Sequence, residues 1–258
     1  MSTPTVLVHH DAHQLAAAVA ARLVTRLVDV QVARGSASVV LTGGGTGISV
    51  LQALADSAAR DAIDWRHLDV WWGDERFLPD GDPERNATQA REALLDHVDL
   101  DPDRVHPMPP AGPAVADPET SAALYTETLA AAAQPEDHGP VPSFDVLMLG
   151  VGPDGHIASL FPGQPGLYDE RPVVAVRGAP KPPPLRVSLT FPTIRSAHEV
   201  WFVTAGAEKA GVVRMALSGA GERQVPAAGA RGRARTLWLL DREAASRLPQ
   251  GLGRIASP

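Results

Sequence analysis

The chain has 258 residues, 44% of them hydrophobic and 21% charged, and its 23 Lys and Arg against 30 Asp and Glu give a formal net charge of −7. A chain of this length buries roughly 70–75% of the surface it exposes when unfolded, enough for a self-sufficient core; its negative field repels polyanions and so argues against a nucleic-acid partner. The absence of cysteine excludes a disulfide scaffold, a Cys-ligated metal centre and a thiol nucleophile.

His9, His10, Asp11 and His13 stand where a signal peptide needs its apolar stretch. Nowhere do about 18 apolar residues run together, so the expectation is a cytoplasmic protein with no membrane partner. Short apolar runs rich in β-branched residues predict strands at 5–8, 38–41, 68–72, 144–149, 173–176, 185–189, 200–203 and 236–240. Helical patterns fall between them at 11–32, 48–59, 86–98, 118–133, 207–218 and 241–248. This alternation predicts an α/β fold: a mainly parallel central sheet with helices on both faces. Val39-Val40-Leu41 and Val146-Leu147-Met148-Leu149 are apolar on both sides, as central parallel strands should be. No Pro/Gly-rich connection is long enough to mark a boundary, so residues 1–258 are read as a single domain. Arg231, Arg233 and Arg235 read as a solvated loop at this net charge.

Ligands of open parallel sheets bind beyond the carboxyl ends of the strands, so the segments that follow the apolar runs carry the functional reading. In Leu41-Thr42-Gly43-Gly44-Gly45-Thr46-Gly47, glycines lead from strand to helix. Backbone amides there can approach an anion at a helix N-terminus. No Lys-Ser/Thr follows, so this is not a Walker loop, and a small phosphate monoester suits it better than a nucleotide. Trp72-Gly73-Asp74-Glu75-Arg76 brings two carboxylates and an arginine to the sheet edge, a pattern that alone equally describes a surface ion-pair cluster.

Gly150-Val151-Gly152-Pro153-Asp154-Gly155 imitates a dinucleotide fingerprint, but Pro153 and the nearby Pro162 leave no room for the long helix such a fingerprint opens. The segment instead presents His156 on a glycine-rich turn, with Asp154 placed to fix its tautomer, the usual support of a general base. His9, His10 and His13 lack the carboxylate cluster a metal site needs, and no metal ligand is assigned. The chain has 21 Arg but only two Lys, Lys181 and Lys209. Arg186 and Lys209 together have the chemistry to hold a phosphate, though singly they read as surface cations. There is neither Cys nor a Gly-x-Ser-x-Gly elbow, so water activated by His156 is the simpler nucleophile. The residues thus point to a hydrolase or isomerase of a small phosphorylated compound.

Five stretches in order, Thr42 to Gly47, Trp72 to Arg76, Asn86-Ala-Thr-Gln-Ala-Arg-Glu-Ala-Leu-Leu, Leu149 to Gly163 and Lys181-Pro-Pro-Pro-Leu-Arg, resemble the 6-phosphogluconolactonases, over about residues 5–248. This family shares a sugar-phosphate superfamily with glucosamine-6-phosphate deaminase. The resemblance implies a Rossmann-like fold and hydrolysis of 6-phospho-D-glucono-1,5-lactone to 6-phospho-D-gluconate in the oxidative pentose phosphate pathway, without cofactor or metal. It places the catalytic histidine on His156 and its orienting aspartate on Asp154, with Arg76 and Asp74 from the Asp-Glu-Arg motif. It places the phosphate on Gly44, Gly45, Thr46, Arg186 and Lys209. Many members have Ser-Thr-Pro where this chain has Gly45-Thr46-Gly47, so the hydroxyl contact passes to Thr46 or to backbone amides.

Two other readings remain open at this level. A glucosamine-6-phosphate deaminase shares Asp74 and the Asp-Gly-His turn, but Ser159 and Leu160 supply no equivalent of its acid. A non-catalytic sugar-phosphate sensor would carry an added DNA-binding segment, whereas the sheet pattern here starts by Thr5. The expected partner is the small lactone alone, in a monomer or small homo-oligomer.

Overall fold

The structure, a computed structural model, describes residues 4–137, 139–249, 252 and 254–256; the rest of the predicted 1–258 domain lies outside the described residues. In chain order the elements are β1 (Thr5–His9), α1 (Ala12–Arg34), β2 (Ala37–Leu41), α2 (Gly44–Ala55), β3 (Leu68–Trp72), β4 (Asp74–Arg76), α3 (Asn86–Ala93), β5 (Val105–His106), α4 (Pro118–Ala132), β6 (Val146–Leu149), β7 (Val173–Val176), β8 (Arg186–Leu189), α5 (Phe191–Ser196), β9 (Glu199–Thr204), α6 (Ala210–Leu217), β10 (Arg235–Asp241) and β11 (Arg254–Ala256).

Eight strands form one sheet in the order β11-β1-β10-β9-β6-β2-β3-β5, with every neighbouring pair parallel. Successive side chains of a strand face opposite ways, and the central runs are apolar on both. Val39, Leu41, Val146 and Met148 therefore pack one way, against Leu23 and Leu27 of α1 and Leu51 and Leu54 of α2. Val40, Leu147 and Leu149 pack the other way, with Tyr125 and Leu129 of α4, Ile194 of α5 and Val213 of α6. Each fully buried Leu or Val contributes about 1.5–3 kcal/mol, so two-sided burial is the main reason these strands hold the centre. α1 starts where the Asp11 carboxylate accepts the Gln14 amide at 2.8 Å and stops at Gly35 in the left-handed region, φ 81°.

The parallel sheet with helices on both faces matches the sequence expectation, with four differences. β7 and β8, expected in that sheet, form a separate antiparallel three-stranded sheet with β4 in the order β4-β8-β7. α2 begins at Gly44 rather than at residue 48, so the glycines are themselves its first turn. α3 and α6 cover only part of the predicted 86–98 and 207–218. No helix forms over 241–248: the Asp241 carboxylate takes the Ala244 amide at 2.7 Å, the Asp241 carbonyl takes the Ala245 amide at 3.0 Å in a single four-residue bond, and the bonds after it, Ser246 to Glu243 and Leu248 to Ala245, span three residues.

The strand order changes direction between β2 and β6: from β2 the chain runs outward through β3 and β5, and from β6 the sheet continues the other way through β9 and β10. Asp145, just before β6, fastens this join from below. It is 2% exposed, accepts the Ser38 amide at 2.9 Å and pairs with Arg34 at the end of α1. Asp145→Ala leaves the Ser38 amide without its carboxylate and half-exposed Arg34 to solvent, and should cost about 1–3 kcal/mol, read as a lower urea midpoint with unchanged secondary structure; an unchanged midpoint would show that the join does not depend on this carboxylate.

Candidate active site

At the carboxyl ends of β2 and β6 the two connections separate, and Thr42 Oγ1 bridges their bases by accepting the Gly150 amide at 3.1 Å. Between them opens a cleft of about 240 Å³. Its lining brings together eight of the nine residues singled out from the sequence: Gly44, Gly45, Thr46, Asp74, Arg76, His156, Arg186 and Lys209. The ninth, Asp154, stands behind His156.

The glycine segment is fitted to its neighbours. Gly44 has φ 80°, which a side chain rarely adopts. A Cβ on Gly43 would lie 1.9 Å from Asn86 Oδ1, and one on Gly47 would lie 2.4 Å from the Thr42 carbonyl. A Cβ on Gly45 meets nothing within 4 Å. With the glycines inside the first turn of α2, the unpaired amides of that helix end border the cleft.

His156 is set by a tight turn in which Gly152 donates its amide to the His156 carbonyl at 2.9 Å. Its Nδ1 lies 2.5 Å from Asp154 Oδ1, and the ring packs on Phe161 at a 4.6 Å centroid separation. Burial works to raise the Asp154 carboxyl, but the hydrogen bond and charge of the imidazole outweigh it and hold the group down at about 2. An ionised carboxylate only accepts, so the hydrogen it takes is the one on Nδ1. Among the described residues nothing hydrogen-bonds Nε2, and the ring lines the cleft.

The small sheet supplies the opposite wall. Asp74, Glu75 and Arg76 form β4, and strand alternation separates the carboxylates that the sequence had grouped together. Asp74 lines the cleft, held by Ser159 Oγ at 2.7 Å and by Asn86 Nδ2, which donates to its carbonyl at 2.9 Å. Glu75, 1% exposed, is instead a scaffold group that accepts the amides of Asn86 at 2.7 Å and Ala87 at 2.9 Å, closing the start of α3. Burial raises the Glu75 carboxyl against the pull of Arg85 and these amides. Arg76 donates to the Glu84 carbonyl and faces Arg186 across the β4–β8 register.

Arg186, 7% exposed, donates Nε to the Pro183 carbonyl at 3.1 Å and Nη2 to the Lys181 and Pro182 carbonyls at 3.1 and 3.2 Å. Burial lowers its affinity for its proton, Asp74 raises it and Arg76 lowers it again. Lys209, at the start of α6, is likewise lowered, first by burial and then by Lys181. The cleft is thus lined by Arg76, Lys181, Arg186 and Lys209 against the single carboxylate of Asp74, a local positive charge in a chain of net −7. Sequence reasoning did not select Asn86 or Lys181. Both stand in motifs it had quoted, but neither residue type announces a site without the fold around it. Among the described residues no group of three or more His, Asp or Glu is arranged to hold a metal.

Residues 10–238 match the family described as glucosamine-6-phosphate isomerases/6-phosphogluconolactonase. The 6-phosphogluconolactonase of Streptomyces coelicolor is 64% identical over 257 residues, covering 99% of this chain and 98% of that protein. The 6-phosphogluconolactonase of Mycobacterium tuberculosis is 49% identical over 241 residues, covering 93% and 96%. Among solved structures, that of the 6-phosphogluconolactonase of Trypanosoma brucei superposes with a TM-score of 0.82 at 31% identity, over 95% of this chain and 99% of that one.

The contacts of the glycine segment separate two substitutions that look alike in sequence. Gly43→Ala must displace Asn86 and should cost about 1–3 kcal/mol, whereas Gly45→Ser enters open space and should change stability by no more than about 0.5 kcal/mol. Thermal and urea denaturation of the two variants checks this; equal costs would contradict the packing of Asn86 over Gly43.

Proposed function

The chain belongs to the glucosamine-6-phosphate isomerase/6-phosphogluconolactonase family, and from that premise we propose how its cleft hydrolyses 6-phospho-D-glucono-1,5-lactone to 6-phospho-D-gluconate. The observation that carries the reading is a histidine with one nitrogen held by an ionised carboxylate, sharing a cleft with a group of cations.

The phosphate sits on Arg186, Lys209 and the backbone amides of Gly44, Gly45 and Thr46. With Arg186 Nε and Nη2 given to backbone carbonyls, its Nη1 is the charged donor left for the dianion, the lysine adds a point charge, and the start of α2 adds its dipole. Tethering this end brings the lactone carbonyl to His156. His156 Nε2 takes a proton from water, and the Asp154 carboxylate stabilises the imidazolium that forms. The hydroxide adds to C1, and the oxyanion that develops is stabilised by the Arg76 guanidinium. When the tetrahedral intermediate collapses, the C1–O bond of the ring breaks and the imidazolium returns its proton to the departing ring oxygen. Asp74, fixed by Ser159 and Asn86, accepts from the sugar hydroxyls and orients the ring.

Ser159 and Leu160, both buried, bring no acid to the position where amino-sugar ring opening needs one. A cytoplasmic location suits a substrate of this kind, and among the described residues no helix is long and apolar enough to cross a membrane.

With freshly generated lactone followed against its spontaneous hydrolysis, His156→Asn should lower kcat by about 10²–10⁴-fold with KM nearly unchanged. Arg186→Ala should mainly raise KM, and glucosamine 6-phosphate should release no ammonia. A folded His156→Asn variant with full kcat would overturn the assignment of the base.

A further inference from the structure

We propose that Lys181 is a further phosphate-binding residue, completing with Arg186 and Lys209 a three-cation grip that selects the phosphorylated lactone. This rests on the lactonase reading above and adds to it a residue that the site assignment did not include.

Three observations converge on it. Lysine is scarce: 21 Arg carry nearly all of the positive charge, and the two lysines both fall on the lining of one cleft. Two lysines placed without regard to that cleft would rarely both border it. Next, the backbone of Lys181 is held in place although its side chain is exposed. Arg186, the proposed phosphate ligand, donates to the carbonyls of Lys181, Pro182 and Pro183, so the segment hangs from that guanidinium. Pro182, Pro183 and Pro184 fix their own φ angles, and a residue preceding proline is restricted to extended backbone. The root of the lysine side chain is therefore ordered before any ligand arrives, which reduces the entropy lost when its ammonium is engaged.

The third observation is electrostatic. After burial, Lys181 is the largest influence lowering Lys209, which places the two ammonium groups close enough to repel each other. Like charges so placed repel each other in the unliganded cleft. A dianion bound between the two ammonium groups converts that repulsion into attraction, whereas an uncharged sugar does not relieve it.

The test compares wild type with Lys181→Ala, Lys181→Arg and Arg186→Ala, reading kcat and KM for the phosphorylated lactone and competitive inhibition by inorganic phosphate. Lys181→Ala should raise KM and weaken phosphate inhibition by a similar factor of about tenfold, the change falling in KM rather than kcat. Lys181→Arg, which keeps the charge, should restore most of both. If Lys181→Ala leaves KM and phosphate inhibition as they are while Arg186→Ala raises both, Lys181 lies outside the grip and the phosphate site stands without it. If Lys181→Ala instead lowers kcat with phosphate inhibition unchanged, the residue acts elsewhere in the reaction and the proposal is wrong. If Arg186→Ala moves neither quantity, the phosphate site itself is misplaced and the proposal falls with it.

Discussion

Everything in the cleft depends on the divergence of the connections that leave β2 and β6. Adjacent parallel strands usually send their chains the same way; here they part, and two loops that would otherwise pack together leave a gap between them. Below, Asp145 and Arg34 hold the strands side by side, and above, Thr42 spans the bases of the loops. One loop continues into the open end of α2 and the other turns sharply to present His156. The sheet thus fixes the separation between the open end of α2 and the imidazole of His156.

The small antiparallel sheet adds the third wall, and it is joined to the histidine turn by hydrogen bonds. Ser159 donates its amide to Ser188 Oγ at 3.1 Å and its hydroxyl to Asp74, just after Ala158 turns the chain with φ 46°. A non-glycine residue in that region is uncommon, and the bonds on either side of it hold the turn. The same sheet places Arg76 opposite Arg186. In a chain of net −7 this crowding of cations is local, so electrostatic attraction of an anionic substrate concentrates at a single opening.

Much of this was legible in the sequence because the central strands are apolar on both faces and need no tertiary context to be recognised. Val39 to Leu41 and Val146 to Leu149 are buried throughout, and the segments that follow them hold the site. What escaped notice has physical reasons. β4 is three charged residues long and follows β3 after a single glycine, so hydrophobic period gives no sign of a strand. The separate sheet of β7 and β8 depends on pairing with β4, a long-range choice that local pattern does not encode. The early start of α2 is hidden because glycine is a poor helix former and is there for close approach to Asn86 and Thr42. Glu75 and Asp74 look equivalent as neighbours, and only the pleat sends one to the cleft and the other to the start of α3.

The central claim is an arrangement in space: cations at one end of the substrate, a carboxylate-held imidazole at the other. The most direct measurement is a crystal structure with 6-phospho-D-gluconate bound. The account predicts phosphate oxygens on Arg186, Lys209 and the amides of residues 44–46, with the C1 carboxylate about 2.6–3.2 Å from His156 Nε2. A product bound the other way round, with its phosphate against His156, or one lodged away from this cleft, would contradict it.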